Sequence, residues 1–175
     1  MSNIKPTSKG PNEMHFFVPI PNITSGTGDL TPKEMIALNY KYALYYREGK
    51  FDALLDEVMV EEPVFEYYPN RIRLVGKQAV RKNWEIKHKG FVDIIDNGNS
   101  TVRYATFGEN CYAAEFTLDM PMPDGTRMPW HKCALVLFRG GRMVGEIVYN
   151  DRYFAERLEK MMTPEFASTP GVERF

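Results

Sequence analysis

Between residues 91 and 150 the chain reads as a nearly unbroken series of extended segments separated by tight-turn signals, a pattern that folds as an antiparallel meander. The segments are 91–96, 101–107, 111–120, 127–138 and 142–150, each rich in branched and aromatic residues. Gly140-Gly141 suits a two-residue turn with positive φ at both positions, and Pro123-Asp124-Gly125 marks the preceding hairpin.

Upstream the period is helical. Thr31-Pro32-Lys33-Glu34 supplies an N-cap threonine, a proline at the first helical position and a glutamate three residues after the cap. The helix they start runs to Glu48 and stops at Gly49, with Met35, Leu38, Tyr42, Ala43 and Tyr46 at three-and-four spacing on its apolar side. A short helix over 51–58, strands over 63–68 and 71–75, and a third helix over 77–88 with Ala79, Val80, Trp84 and Ile86 inward follow. A closing helix spans 151–161. Helices followed by a long meander predict an α+β fold in one domain over 31–162. Residues 1–30 mix Pro, Gly, Ser, Thr and Asn without periodicity and read as an extended arm dispensable for folding; 163–175 read as a loose tail.

Apolar residues make up 43% and charged residues 26%, the ordinary globular balance, which excludes a disordered chain and a membrane protein. Lys plus Arg number 22 against 23 Asp plus Glu, so no cationic excess exists to neutralise a phosphate backbone, and nucleic acid is excluded as a partner. No run approaches the ~20 apolar residues that cross a bilayer, and the stretch from Phe16 to Ile20 is broken by Pro19 and lacks a cleavage pattern, so the expected location is the cytoplasm. Eleven Phe, ten Tyr, two Trp and ten Met suit a broad apolar surface for a ligand or a partner as well as they suit a core. No metal, phosphate-loop or nucleophile-elbow motif occurs, and three scattered histidines argue against a metal site, so no cofactor is expected. With Cys111 opposite Phe138 and Cys133 opposite Phe116, the two cysteines lie about 17 Å apart along the hairpin and read as free thiols.

The same pairing sorts the meander into two faces. One collects Tyr112, Ala114, Phe116, Leu118, His131, Cys133, Leu135, Leu137, Val144, Glu146, Val148 and Asn150, and should pack on the helices. His131, Glu146 and Asn150 are then polar exceptions on a greasy surface. Each needs a partner, a water or a ligand to offset a burial cost of about 1–3 kcal/mol. His131 and Asn150, as cross-strand neighbours, alternatively bond each other, and a one-residue bulge would turn all three outward. The opposite face, with Trp130, Val136, Phe138 and Ile147, predicts a homodimer interface.

An amphipathic helix ending Arg47-Glu48-Gly49-Lys50-Phe51-Asp52, then Val64-Phe65-Glu66, Leu74-Val75-Gly76-Lys77-Gln78-Ala79-Val80-Arg81, and Phe138-Arg139-Gly140-Gly141-Arg142-Met143 leading to Tyr149-Asn150-Asp151, together resemble the SnoaL-like polyketide cyclase and ketosteroid isomerase group of the nuclear-transport-factor-two-like superfamily. The resemblance implies a cone-shaped, strongly curved, mixed or antiparallel sheet wrapped around the N-terminal helices in an α+β barrel-like fold, with a pocket between them and a dimeric state. It places Tyr42 at the oxyanion-binding tyrosine, Glu66 at the carboxylate base and Trp84 at a supporting pocket tyrosine. It finds no match for the second acidic donor, which falls near Ala134, nor for the epoxide hydrolase triad, whose acidic position falls on Val148. The implied function is a cofactor-independent proton-transfer enzyme, of cyclase, isomerase or dehydratase type, acting on a small hydrophobic carbonyl compound. Glu66 or His131 would be the base and Tyr42 the polarising donor, with Trp84, Tyr46, Phe116, Glu146 and Asn150 lining the ligand. The alternative is a non-catalytic member of the same fold that binds a hydrophobic ligand or serves in dimeric assembly. Glu66 also reads as a solvated carboxylate beside Glu61 and Glu62, and Tyr42 and Trp84 as ordinary core packing.

Overall fold

Thr31 caps the first helix as its sequence predicts. Its hydroxyl accepts from the Glu34 amide at 3.3 Å while Glu34 Oε2 accepts from the Thr31 amide at 2.7 Å, and α1 runs Pro32–Arg47. The chain is described from a computed structural model covering residues 29–90, 100–122 and 124–175; the strand expected over 91–96 and the arm up to residue 28 lie outside the described residues. After α1 come α2 (Phe51–Glu57), β1 (Val64–Tyr68), β2 (Ile72–Val75), α3 (Gly76–Gly90), β3 (Ser100–Gly108), β4 (Cys111–Pro121), β5 (Arg127–Arg139), β6 (Arg142–Asn150), α4 (Arg152–Lys160), α5 (Pro164–Ala167) and β7 (Val172–Arg174). Among the described residues the strands form one seven-stranded sheet in the order β3-β4-β5-β6-β1-β2-β7, with neighbouring strands antiparallel except where β1 runs parallel to β6. The last residues are therefore no loose tail: β7 pairs antiparallel with β2, and Phe166 of α5 is buried in the core.

Gly140 and Gly141 adopt φ of 57° and 71°, which makes the expected two-residue turn, with Arg139 facing Arg142. Two residues further on, the register slips. Phe138 faces Met143 but Leu137 faces Gly145, so Val144 is an extra residue on β6. Gly145 makes this bulge possible. At φ 152° its Cα lies so near β1 that a Cβ would sit 1.8 Å from the Val64 carbonyl oxygen. Beyond the bulge Lys132, not His131, faces Asn150. The preceding hairpin is also one residue off the expectation, with Cys111 facing Leu137 and Cys133 facing Glu115; both cysteines are free.

These two slips correct the assignment of faces. The inner face, against α1 and α3, carries Tyr112, Ala114 and Phe116 of β4, Lys132, Ala134 and Val136 of β5, Glu146, Val148 and Asn150 of β6, and Phe65 and Tyr67 of β1. His131, Cys133, Leu135 and Leu137 belong to the outer face. The patch expected to form a homodimer is consumed within the chain: Trp130, Val136 and Phe138 are 4%, 1% and 1% exposed on the inner side, and Ile147 is buried outside with Val60, Leu137 and Val144. A homodimer would need another surface.

The main core gathers Met35, Leu54, Phe65, Leu74, Val80, Trp84 and Phe138 between the helices and the inner face. Asp151 fixes α4 to the sheet, its carboxylate accepting from the Phe154 amide at 2.9 Å and from the His131 amide at 2.7 Å. No helix among the described residues is long and apolar enough to cross a membrane.

Candidate functional site on the inner sheet face

Three rows of side chains cross the inner face. Tyr112, Val136 and Glu146 form one; Ala114, Ala134, Val148 and Tyr67 the next; Phe116, Lys132 and Asn150 the third. The two alanines stand side by side, so the sheet wall is set back between larger neighbours. Facing it, α1 brings Tyr42 and Tyr46, one turn apart and stacked with parallel rings 6.1 Å between centroids. From α3 come Asn83, Trp84 and Lys87, whose spacing puts Asn83 directly under Lys87. Trp84 stands edge-on to Tyr42 at 5.8 Å and to Phe65 at 5.9 Å. Tyr42, Tyr46, Lys87, Phe116 and Lys132 are only half-buried although they face inward, so solvent reaches this face between the helices and the sheet.

The polar groups converge on Tyr67. Its hydroxyl oxygen accepts from Asn83 Nδ2 at 3.0 Å and from Lys87 Nζ at 3.4 Å, and the Lys87 amine lies 4.7 Å from the centre of its ring. With two donors on the oxygen, the phenol's own proton is left to point at a third group. Burial raises the Tyr67 phenol well above its ordinary value, and the negative field of Glu146 adds to the shift, so it stays a proton donor throughout the neutral range. Tyr42, Tyr46 and Tyr112 are raised for the same two reasons, burial first. Glu146, 9% exposed, is thus the common negative charge facing four tyrosines. Desolvation pulls Lys87 down to about 8, the Lys132 cation lowers it further, and Glu146 opposes both. Lys132 Nζ in turn lies 4.7 Å over the Phe116 ring.

Several groups here have no partner. The Tyr112 hydroxyl and both amide atoms of Asn150 are buried and unbonded. The Trp84 N–H lies beside the Tyr42 hydroxyl and slightly favours its ionised form, but the pair is not aligned well enough to bond. Each such group costs about 1–3 kcal/mol unless a water or ligand meets it. The lining therefore suits an apolar molecule carrying one or two polar oxygens. Among the described residues no group of three or more His, Cys, Asp or Glu is placed to hold a metal ion.

Of the residues singled out from sequence, Tyr42, Tyr46, Trp84, Phe116, Glu146 and Asn150 meet on this face. Glu66 and His131 do not. Adjacent residues of a strand point to opposite sides, so with Tyr67 inward Glu66 is outward. It is 4% exposed, its Oε1 accepting from Arg73 Nε at 2.8 Å and its Oε2 from the Tyr68 hydroxyl at 3.3 Å. Phe175 seals the pair, its ring 4.7 Å from the Arg73 guanidinium. The bulge turns His131 outward too, where its side chain is 45% exposed, 3.4 Å from the Thr117 hydroxyl and 3.7 Å from Glu115. Neither has access to Tyr42, and the expected Glu66-His131-Tyr42 constellation is not formed. Sequence reasoning missed Tyr67, Asn83, Lys87, Tyr112 and Lys132. Alternation along β1 pointed to the first, and the four-residue spacing of Asn83 and Lys87 beside Trp84 to the next two.

No family model and no curated relative matches the chain. Solved structures do. A de novo designed protein with a curved β-sheet superposes with a TM-score of 0.57 at 17% identity, covering 75% of this chain and 97% of the other. A protein with a cystatin-like fold from Silicibacter pomeroyi gives 0.55 at 14% identity over 74% and 85%. An NTF2-like protein of unknown function from Burkholderia xenovorans gives 0.51 at 16% identity over 67% and 83%. At such identities the likeness establishes the fold alone: a curved sheet wrapped on helices, of the NTF2-like and cystatin-like kind.

Proposed function

We propose that the inner face binds a small hydrophobic carbonyl compound and moves a proton on it, with Tyr67 donating to the carbonyl oxygen and Glu146 acting as the base. The observation that carries this reading is the Tyr67 hydroxyl, held by Asn83 and Lys87 so that its proton is free for a ligand, with Glu146 close enough for its charge to act on the phenol. A preoriented donor of this kind stabilises the charge that develops when a proton leaves the carbon next to the carbonyl. The aromatic rings of Tyr42, Tyr46, Trp84 and Phe116 supply the apolar lining. An isomerase, cyclase or lyase built on this site needs no more than such a donor and a base.

The test is exchange of the α-hydrogens of 2-tetralone with deuterium, followed by proton NMR. The chain should accelerate exchange saturably. Glu146→Gln should lower the rate about 10²- to 10⁴-fold and Tyr67→Phe by a comparable factor, while Glu66→Gln leaves it unchanged. Saturable binding without exchange in the wild type would overturn the catalytic reading in favour of a ligand-binding module.

A further inference from the structure

Lys87 has no role in the proton transfer above beyond bonding Tyr67, yet it is the one amine among the residues that meet at this site whose surroundings suppress its charge. We propose that Lys87 is a nucleophile that condenses with the carbonyl carbon of the bound ligand to form an imine; the proposal rests on the inner face being a carbonyl-binding site. Three features of geometry support it. The amine lies over the Tyr67 ring and within 3.4 Å of the Tyr67 hydroxyl, so a carbonyl whose oxygen meets that hydroxyl has its carbon near the amine. Lys132 reaches the same face from β5 and presses on Lys87 with like charge. The rings that line the same face, Tyr42, Tyr46, Trp84 and Phe116, leave less water there to solvate an ammonium. A lysine desolvated in an apolar site beside a second cation is the arrangement that keeps an amine neutral and nucleophilic. The titratable groups facing it are Tyr67 on β1, Lys132 on β5 and Glu146 on β6; the Glu146 charge and the Tyr67 ring favour the charged form, and loss of water and the Lys132 cation outweigh them.

The step balances without any redox partner. The nitrogen lone pair attacks the carbonyl carbon and the π pair moves to oxygen, which takes the Tyr67 proton. A proton then passes from nitrogen to the phenolate, Tyr67 gives that proton to the carbinol oxygen, and the C–O bond breaks with loss of water as the nitrogen lone pair forms a protonated C=N. That protonated imine withdraws electrons from the adjacent carbon more strongly than the carbonyl, so Glu146 removes the proton on that carbon more readily. Water reverses the sequence and restores amine and carbonyl.

Reductive trapping tests it. The full chain is incubated at pH 7 with 2-naphthaldehyde and sodium cyanoborohydride, then read by intact mass and peptide mapping. At that pH about 10% of an amine titrating near 8 is neutral, against about 0.03% of an ordinary lysine, so Lys87 should label on the order of 100-fold faster than surface lysines. Among the lysines, an adduct mapped to Lys87 alone, set apart from any label on the α-amine of Met1 and lost in a folded Lys87→Met variant, is the expected result. The mapping on the wild-type chain stands even if the variant fails to fold. Quenching of tryptophan fluorescence by 2-tetralone reads binding separately. Saturable quenching with label spread over exposed lysines and none on Lys87 would overturn the imine and leave the site; absence of both would overturn the site as well.

Discussion

Two glutamates are buried in the same sheet, and their surroundings are opposite. Glu66, on the outer face, meets Arg73 and Tyr68, is closed in by Phe175 and has every attraction it needs within the chain. Glu146, on the inner face, looks onto four tyrosines and a lysine that is itself short of charge. A buried carboxylate with its cation in place is a structural element; one placed among neutral donors is available to something that arrives from outside. Burial alone does not distinguish them. Their neighbours do.

The most severe way to break this difference is to remove what creates it. Gly145→Ala would drive a methyl into the Val64 carbonyl at a backbone conformation that L residues avoid, and neither strand can move without losing the β1–β6 pairing. It should cost about 4 kcal/mol or more, read as a lost unfolding transition or insoluble expression. Next comes the outer pair. Arg73→Ala leaves the Glu66 carboxylate buried with only a phenol, and should destabilise by about 3 kcal/mol in urea unfolding while 2-tetralone binding is unchanged. Adding Glu66→Gln should restore part of that loss, because the stranded charge is then gone. An Arg73→Ala chain that loses ligand binding while folded would show that the two faces are coupled.

Much of the architecture was readable from local chemistry. The Thr31-Glu34 capping box, the Gly140-Gly141 turn and the alternation of β4 each act over a few residues and hold in the folded chain. The curved α+β sheet is as expected. The faces were misread through two slips of one residue each, one at the 122–126 turn and one at Val144. The slips cancel across β5. That is why Phe116, Glu146 and Asn150 point inward as expected while His131, between them, points out. Gly145 inside a strand-like run was the legible sign of the second slip. Lys87 was hidden differently: followed by His88 and Lys89 at the end of a helix, it looks like a solvated basic last turn, and only the fold brings that turn over Tyr67. The resemblance drew Glu66 inward against the alternation of its own strand.

Lys87→Met sharpens the contrast through stability. Burial leaves Lys87 titrating near 8 in the fold against about 10.5 unfolded, so the unfolded chain holds the extra proton between those values. The native state is penalised in full below pH 8 and relieved as pH rises toward 10.5. Methionine keeps the stem and drops the charge, so it should stabilise the chain at pH 7 by on the order of 2 kcal/mol, with the gain fading by pH 10.5. The tyrosines act later and in the other direction. Their raised values mean the unfolded chain loses phenol protons first, and stability should fall above about pH 10 in both proteins. A gain that does not shrink with pH would mean that packing, not charge, is responsible.

The smallest effect belongs to His131, and it separates the sequence reading from the structural one most directly. An imidazole buried against the helices and serving as base would cost several kcal/mol and all turnover on replacement. In the fold its ring is nearly half exposed on the outer face, 3.4 Å from a threonine hydroxyl and 3.7 Å from Glu115. Such a surface contact contributes little. What this position does hold is made by its backbone, through the amide to Asp151 and the carbonyl that accepts from the Asp151 amide at 3.0 Å, and alanine keeps both. His131→Ala should therefore shift unfolding by less than about 0.5 kcal/mol and leave both 2-tetralone binding and deuterium exchange at the wild-type level. A tenfold loss of exchange in that variant would put the base on the outer face, and with it the site assigned to Tyr67, Lys87 and Glu146 would fall.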